Sequence, residues 1–383
     1  MRLAVAVYVD ITLVPIFSPI VVEGKRIGEP LQHDMIREIY EQPKAVADTL
    51  DAAFPEAKRT IDLLDVSKLG MVYFTGSGTS YHACLAANYA LSSLTRVFST
   101  NLPASEFSSW VKQDLRPKSL LVAISQSGES SDVLAAARAG AAARMRTIGV
   151  TNTPGSSLTK ATEFQLVSTA GEEKAVTATK TYTATLAATY ALVLELSRRV
   201  ASETGRYERL ANSLTEAPNQ MQQTIRLSDG PVRELAGKFM DKEFYFLLGS
   251  GANYSTALEG ALKLKESCNV YAEGFATREF LHGPIQLVDA RTPVFLLRDY
   301  DEGDNVSGLE AGFLRFGAPT TVIGRQGGIS GTESTYVFGV PASIEEVFSP
   351  LTYVIPLQLY AYYLSLARGL NPDRPEKLSK VVR

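Results

Sequence analysis

The sequence predicts an α/β protein built from two tandem copies of one unit, each a doubly wound parallel sheet flanked by helices. Three observations carry this. The stretch Phe74-Thr75-Gly76-Ser77-Gly78-Thr79-Ser80-Tyr81 recurs as Leu247-Leu248-Gly249-Ser250-Gly251-Ala252-Asn253-Tyr254, so Phe74 falls on Leu247 at an offset of 173 positions. The same offset lays residues 120–125 over 293–298, 147–150 over 320–323, and 185–194 over 358–367. Within each copy, apolar β-rich runs alternate with helical stretches through short Gly-rich turns, the pattern of parallel strands joined by crossover helices.

The elements follow in order. A helix is expected over about 33–54, ahead of the first copy. Strands 71–75 and 244–248 run into the two Gly-Ser-Gly turns, and an Ala/Leu-rich helix leaves each turn. A second apolar strand, a second helix (131–144 and 308–316), a third strand and a long closing helix complete each copy. Residues 202–229 are polar with a helical pattern and read as the linker. The resulting organisation is an N-terminal extension (1–32), a first domain with its leading helix (33–225), a second domain (226–370) and a tail (371–383). The run MRLAVAVYVDITLVPIFSPIVV resembles a secretory leader but is expected to form one or two extended strands: Asp10 breaks it early, no small-x-small cleavage site follows, and its β-branched residues with Pro15 and Pro19 suit strands.

Composition narrows the function classes. At 383 residues the chain is long enough for two cored domains, and 45% hydrophobic with 21% charged residues is ordinary for a soluble protein. A formal net charge of -3 offers no basic face for nucleic acid. No run reaches the ~18 apolar residues of a membrane span. Cys84 and Cys268 lie far apart in apolar helical stretches, as buried free thiols in a reducing cytoplasm would. No metal-ligand spacing occurs, and no cofactor motif is present.

The turns carry the chemistry. Gly76-Ser77-Gly78-Thr79-Ser80 places hydroxyls at a helix N-terminus, where anions bind. A dinucleotide site would need a third glycine where Tyr81 stands and an acid ending the next strand. That strand ends instead in Ser125-Gln126-Ser127-Gly128-Glu129-Ser130, a hydroxyl cluster suited to a phosphate monoester. The second copy has Arg298-Asp299-Tyr300 there, so the two copies do different work. Glu259, Lys263 and Glu266 are spaced to share one helix face. A surface Glu–Lys ladder would show the same spacing, but this helix leaves the second Gly-Ser-Gly turn and is flanked by apolar residues. His282 sits in a loop punctuated by Gly283 and Pro284, whereas His33 and His82 lack acidic or cysteine partners at metal spacing and receive no role. Carboxylate, lysine and histidine beside a phosphate cradle suit proton transfer next to a carbonyl, with a lysine to form an imine.

The segments Ser125-Gln-Ser-Gly-Glu-Ser130, Val176-Thr-Ala-Thr-Lys-Thr181, Ala257-Leu-Glu-Gly-Ala-Leu-Lys-Leu-Lys-Glu266 and Glu279-Phe-Leu-His-Gly-Pro284 resemble the isomerase half of glucosamine-6-phosphate synthase, a tandem of sugar-isomerase (SIS) domains. Glu38-Ile-Tyr-Glu-Gln-Pro43 and Leu378-Ser-Lys380 extend the likeness over roughly 33–380. The resemblance implies that Glu266 shuttles the proton between C1 and C2, that His282 opens the sugar ring, and that Lys263 assists. It makes Lys380 the tail lysine that forms an imine with the open-chain ketose. Thr79, Ser80, Ser125, Gln126, Ser127 and Ser130 match sugar-phosphate ligands, and Val176 a backbone contact. It further implies an obligate homodimer in which the histidine crosses the interface. The glutaminase half has no counterpart before His33, and Arg278 and Leu281 depart from the family around the histidine loop.

Without a glutaminase, the same chemistry is expected to run towards breakdown: glucosamine 6-phosphate to fructose 6-phosphate and ammonia. Synthesis from fructose 6-phosphate with ammonia or a separate glutaminase subunit is the alternative, followed by deglycation of a fructosamine 6-phosphate. A non-catalytic sugar-phosphate sensor could keep the serine loops but need not keep Glu266, His282 and Lys380 together.

Overall fold

The computed structural model describes residues 32–66, 69–111, 118–200, 204–298, 304–328 and 335–380. The strands read in the N-terminal extension lie outside them. The described residues from His33 onward form one compact unit.

Helix α1 (Asp34–Leu63) leads into the first copy. There follow β1 (Met71–Gly76), α2 (Thr79–Leu94), β2 (Phe98–Pro103), α3 (Ala104–Trp110), β3 (Ser119–Ile124), α4 (Ser131–Ala142), β4 (Arg146–Thr151), α5 (Ser157–Ala161), β5 (Phe164–Val167) and α6 (Lys180–Val200). A long helix, α7 (Thr204–Lys238), connects to β6 (Phe244–Gly249), α8 (Asn253–Cys268), β7 (Tyr271–Ala276), β8 (Val294–Arg298), α9 (Asp304–Arg315), β9 (Thr320–Arg325), β10 (Thr335–Val340) and α10 (Pro350–Ala367).

Two five-stranded sheets result, ordered β2-β1-β3-β4-β5 and β10-β9-β8-β6-β7, with every pairing parallel. Read from the opposite edge, the second order repeats the first, so the duplicated α/β architecture is confirmed. Strand β3 is buried along its whole length, which explains its continuous apolar run: helices cover both faces. Helices α6 and α10 are buried nearly all round, and with α2 and α8 they form a layer in contact across the two copies. One continuous core links Phe74 and Val150 of the first sheet to Leu247 and Phe295 of the second, while separate apolar clusters sit under α3–α4 and α9.

The structure adds strands that the pattern does not show. The edge strand β2 (Phe-Ser-Thr-Asn-Leu-Pro) is partly exposed and mixed in polarity, and β5 spans only four residues. Neither presents a clean period. Helix α1 runs nine residues past the expected end at 54, through Pro55. Its apolar stripe continues over Ala53, Ala57 and Ile61 against the core, and packing outweighs the one hydrogen bond Pro55 removes at the exposed Asp51 carbonyl. The linker reading over 202–229 falls largely within α7, which holds Pro218 and Pro231. Cys84 and Cys268 are free and buried. Among the described residues no helix is long and apolar enough to cross a membrane, and no group of three His, Cys, Asp or Glu could hold a metal.

Candidate active site

The C-terminal ends of β1 and β3 open onto the N-termini of α2 and α4, the ends of a helix that favour an anion. Gly78 lies at φ +55°, a conformation favouring glycine. A side chain at Gly76 would meet the Ser80 backbone at 2.9 Å, so the turn packs tightly against the start of α2. In the serine loop, the Ser125 hydroxyl accepts the Gly128 N–H at 3.1 Å and the Ser127 hydroxyl accepts the Glu129 N–H at 3.2 Å. Gly128 lies at φ +66°, with the Ser156 hydroxyl where a Cβ would stand. The Glu129 carboxylate accepts both the N–H and the hydroxyl of Ser157 at 2.8 Å, anchoring the loop to α5. Ser130 precedes α4 without spending its hydroxyl on a cap.

A cavity of about 270 Å³ lies between these turns, lined by Thr79, Ser80, Gln126, Val176, Glu266 and Lys380 among others. Six of the residues singled out in the sequence therefore meet in one place. Ser125, Ser127 and Ser130 belong to the loop that delivers Gln126 but do not line the cavity. Lys263 stands behind it, fully buried. His282 is exposed between two single-turn 3₁₀ segments, Glu279–Leu281 and Pro284–Leu287, and does not line the cavity within this chain.

One wall is a buried charge network. The Lys263 ammonium donates to Glu266 at 2.7 Å and to the Thr79 hydroxyl at 3.1 Å, and lies 3.1 Å from Glu259. Glu259 also accepts from the Thr79 hydroxyl at 3.0 Å and faces His82 Nδ1 at 2.7 Å. Burial works to raise the Glu259 carboxyl, but Lys263 and His82 outweigh it and hold it below the ordinary value. Burial likewise opposes the Lys263 charge, yet Glu259 and Glu266 raise its pKa above the usual lysine range. Both groups are thus ionised in a place where neither is exposed. His82, given no role from its sequence neighbours, is a member of this network.

The opposite wall comes from the tail and the start of α6. Lys380 Nζ donates to Glu173 and to the Ala175 carbonyl, both at 2.6 Å. Glu173 also accepts the N–H groups of Thr179 and Thr181 at 2.8 and 3.1 Å and the Thr181 hydroxyl at 2.6 Å. Burial alone would raise the Glu173 carboxyl, but Lys380 and these donors bring it below the ordinary value. The Val176 N–H is taken by the Asp373 carbonyl at 3.0 Å, which leaves its own carbonyl as the group for a ligand. Asp373 also accepts the N–H groups of Asp34 and Met35 at 2.9 and 2.7 Å, tying the tail to the N-terminus of α1. Sequence reasoning missed Glu173, Tyr182 and Ser77; the last lies inside the very turn it singled out.

Two parallel sheets around a shared helical layer, with a hydroxyl-rich turn facing a glutamate and a lysine, define a tandem α/β fold of the SIS kind. The chain belongs to the SIS domain family, which matches it over residues 66–195 and 238–368. It is 35% identical over 353 residues to the isomerizing glutamine–fructose-6-phosphate aminotransferase of Pyrococcus horikoshii, covering 92% of this chain and 58% of that protein. The enzyme of the same description from Methanothermobacter thermautotrophicus is 36% identical over 359 residues, covering 91% and 57%. The chain therefore spans less than three fifths of the length of these relatives. Among solved structures, the C-terminal domain of glucosamine-fructose-6-phosphate aminotransferase from Francisella tularensis superposes with a TM-score of 0.82 at 27% identity, covering 90% of this chain and 98% of that one. The likeness read from the motifs is thus to the isomerase part of these enzymes.

Proposed function

We propose that this protein interconverts an amino-hexose 6-phosphate and fructose 6-phosphate through their open-chain forms, working as a deaminase that releases ammonia. The observation that carries this reading is the meeting of Glu266, Lys380 and the Thr79–Ser80 turn on one cavity, with Lys263 bonded to Glu266 at 2.7 Å.

In this reading the phosphate docks against the N-termini of α2 and α4, where Thr79, Ser80 and Gln126 reach it from the cavity lining and Ser125, Ser127 and Ser130 serve it from the loop that carries Gln126. Ring opening precedes chemistry, and His282 from a second copy of the chain is the acid and base for it. Glu266 removes the proton at C2 and returns it at C1, turning the open-chain 2-amino aldehyde into the enolamine and then the C2 ketimine. Water adds to the ketimine carbon and ammonia leaves, giving the ketose. Lys263, with all its hydrogens committed, fixes the Glu266 carboxylate for this transfer. Lys380 leaves Glu173, and as the neutral amine condenses with the ketose carbonyl, expelling water, to an imine that holds the chain open; hydrolysis of that imine frees the ketose.

A second reading, synthesis of glucosamine 6-phosphate, is favoured by the relatives, which are described as aminotransferases. It runs the same steps backwards, with ammonia supplied free or by a separate glutaminase subunit. In both readings nitrogen passes as ammonia. At low ammonia, mass action favours release. A homodimer in the cytoplasm is part of the proposal.

Purified protein with glucosamine 6-phosphate is expected to yield ammonia and fructose 6-phosphate in equal amounts. Fructose 6-phosphate with excess ammonium tests the reverse. Amino sugar formed without measurable release from glucosamine 6-phosphate would install the second reading. Neither product in either direction would end both.

A further inference from the structure

We propose that His82 is a positioning residue for Glu266, acting from the first copy on the second through Glu259 and Lys263. The proposal rests on the functional reading above.

His82 and Thr79 stand three residues apart on α2 and so share one face of that helix. Glu259, Lys263 and Glu266 share one face of α8, and the two helices are in contact. The faces meet as a chain of complementary groups: His82 Nδ1 to Glu259 Oε2 at 2.7 Å, Glu259 Oε1 to Lys263 Nζ at 3.1 Å, and Lys263 Nζ to Glu266 Oε2 at 2.7 Å. The Glu259 and Lys263 side chains are 0% exposed, and that of His82 is 14% exposed.

An ammonium has three hydrogens. Those of Lys263 have three partners: Glu259, Glu266 and the Thr79 hydroxyl. Lys263 is thereby held without a free direction, and the Glu266 oxygen it bonds is held with it. The anchor of this arrangement is Glu259, whose two oxygens are divided between His82 on one side and Thr79 with Lys263 on the other. Without the imidazole N–H, one oxygen of a fully buried carboxylate loses its partner. The carboxylate then turns or takes up a proton, and in either case Lys263 and Glu266 move with it. The His82 backbone N–H bonds the Gly78 carbonyl of the turn at 3.1 Å, but its imidazole is directed to Glu259, so the effect of the side chain runs through the charges behind the turn.

Geometry separates this role from a general one in packing. The amide nitrogen of asparagine stands the same number of bonds from Cβ as imidazole Nδ1, whereas that of glutamine stands one further. The test compares His82→Leu, His82→Asn, His82→Gln, Glu259→Gln and the double variant His82→Leu/Glu259→Gln, following solvent deuterium entering C1 of fructose 6-phosphate and the equilibrium binding of that sugar phosphate. Leucine and glutamine are expected to lower kcat by about 10²-fold while KM and binding stay close to wild type. Asparagine is expected to recover most of the loss, and the double variant to be no slower than its slower parent. Should leucine prevent folding, asparagine against glutamine decides alone. Wild-type kcat in the glutamine variant, or loss of binding in parallel with kcat in all three, overturns the proposal. Wild-type protein that binds the sugar phosphate yet exchanges no deuterium overturns the functional reading itself, and the role of His82 with it.

Discussion

The carboxylate of Glu346 accepts the backbone N–H of Ala252 at 3.1 Å, at the start of α8, where the second copy repeats the Gly-Ser-Gly turn. The other oxygen of Glu346 accepts from the Tyr89 hydroxyl, also at 3.1 Å. A Cβ at Gly251, which lies at φ +55°, would come within 2.7 Å of the same carboxylate. The position that is open to a ligand in the first copy is filled in the second by an anion of the protein's own. Calorimetric titration with fructose 6-phosphate is therefore expected to give one site per chain. Glu346→Ala, which removes an anion from a helix N-terminus, is expected to lower unfolding stability by about 1–2 kcal/mol in a thermal or urea melt.

Much of this arrangement is legible along the chain, and what is not has a physical reason. The two Gly-Ser-Gly turns are contiguous motifs, and the shared face of Glu259, Lys263 and Glu266 follows from helical spacing. The partner of His82 lies 177 positions away and that of Lys380 lies 207 positions away. No period within one element reports a contact between elements that far apart. A signal did exist: Thr79 and His82 share one face of α2, as Glu259 and Lys263 share one face of α8, and polar groups on the buried faces of two helices need partners. His282 is legible as a loop histidine, but it does not line the cavity of its own chain, and its proposed part in the chemistry calls on a second copy.

Replacing Glu266 tests the proton shuttle most directly. Its side chain reaches the cavity, and its only described ion pair is with Lys263. Glu266→Gln keeps the shape and the hydrogen bond from Lys263 but removes the base. Isomerisation is expected to fall by about 10²–10⁴-fold, with fructose 6-phosphate binding kept, as read by kcat and by calorimetry. Equal loss of binding would move Glu266 from the chemistry to the binding of the sugar.

Lys380 is expected to carry the covalent step. Borohydride added during turnover of fructose 6-phosphate should fix the ketose on one lysine, seen as a single mass increment on the peptide holding Lys380. Lys380→Arg keeps the ion pair with Glu173 but has no amine to form the imine, and should show no increment. An increment elsewhere on the chain would reassign the imine.

Glu38 gives the fold a pH dependence of definite sign. It is buried on α1 and accepts the N–H groups of Lys174 and Ala175, the latter at 3.4 Å, so it pins the loop that bears Glu173 and Val176. Burial raises its pKa, the Lys174 N–H opposes this, the Glu173 carboxylate adds to it, and Lys380 and Lys180 oppose it; the result is about 7, against 4.5 for an ordinary glutamate. Lys180 is itself paired with Glu41 at 2.6 Å. Between these values the native state binds more protons than the unfolded chain. The stability Glu38 confers is thus complete below the unfolded value and is lost as pH rises through 7. Thermal melts of the wild type from pH 5 to 8 should show this decline, about 1–3 kcal/mol in all. Glu38→Gln should flatten it and melt higher than the wild type at pH 8; an unchanged slope would assign the decline to other groups.

The dimer part of the proposed mechanism is open to a complementation experiment. His282 does not line the cavity of its own chain, whereas Glu266 does. If each site takes Glu266 from one chain and His282 from the other, two inactive variants should repair each other. A Glu266→Gln chain paired with a His282→Asn chain holds one site with both defects and one with neither. Random pairing makes half the dimers mixed, and each has one intact site, so activity on the order of one quarter of wild type should return on mixing. Denaturing the variants together and refolding them, then assaying ammonia from glucosamine 6-phosphate, reads this out. If mixing restores nothing while the refolded wild type is active, the histidine serves its own chain or has no part in the chemistry. The second of these is singled out if His282→Asn alone keeps wild-type kcat.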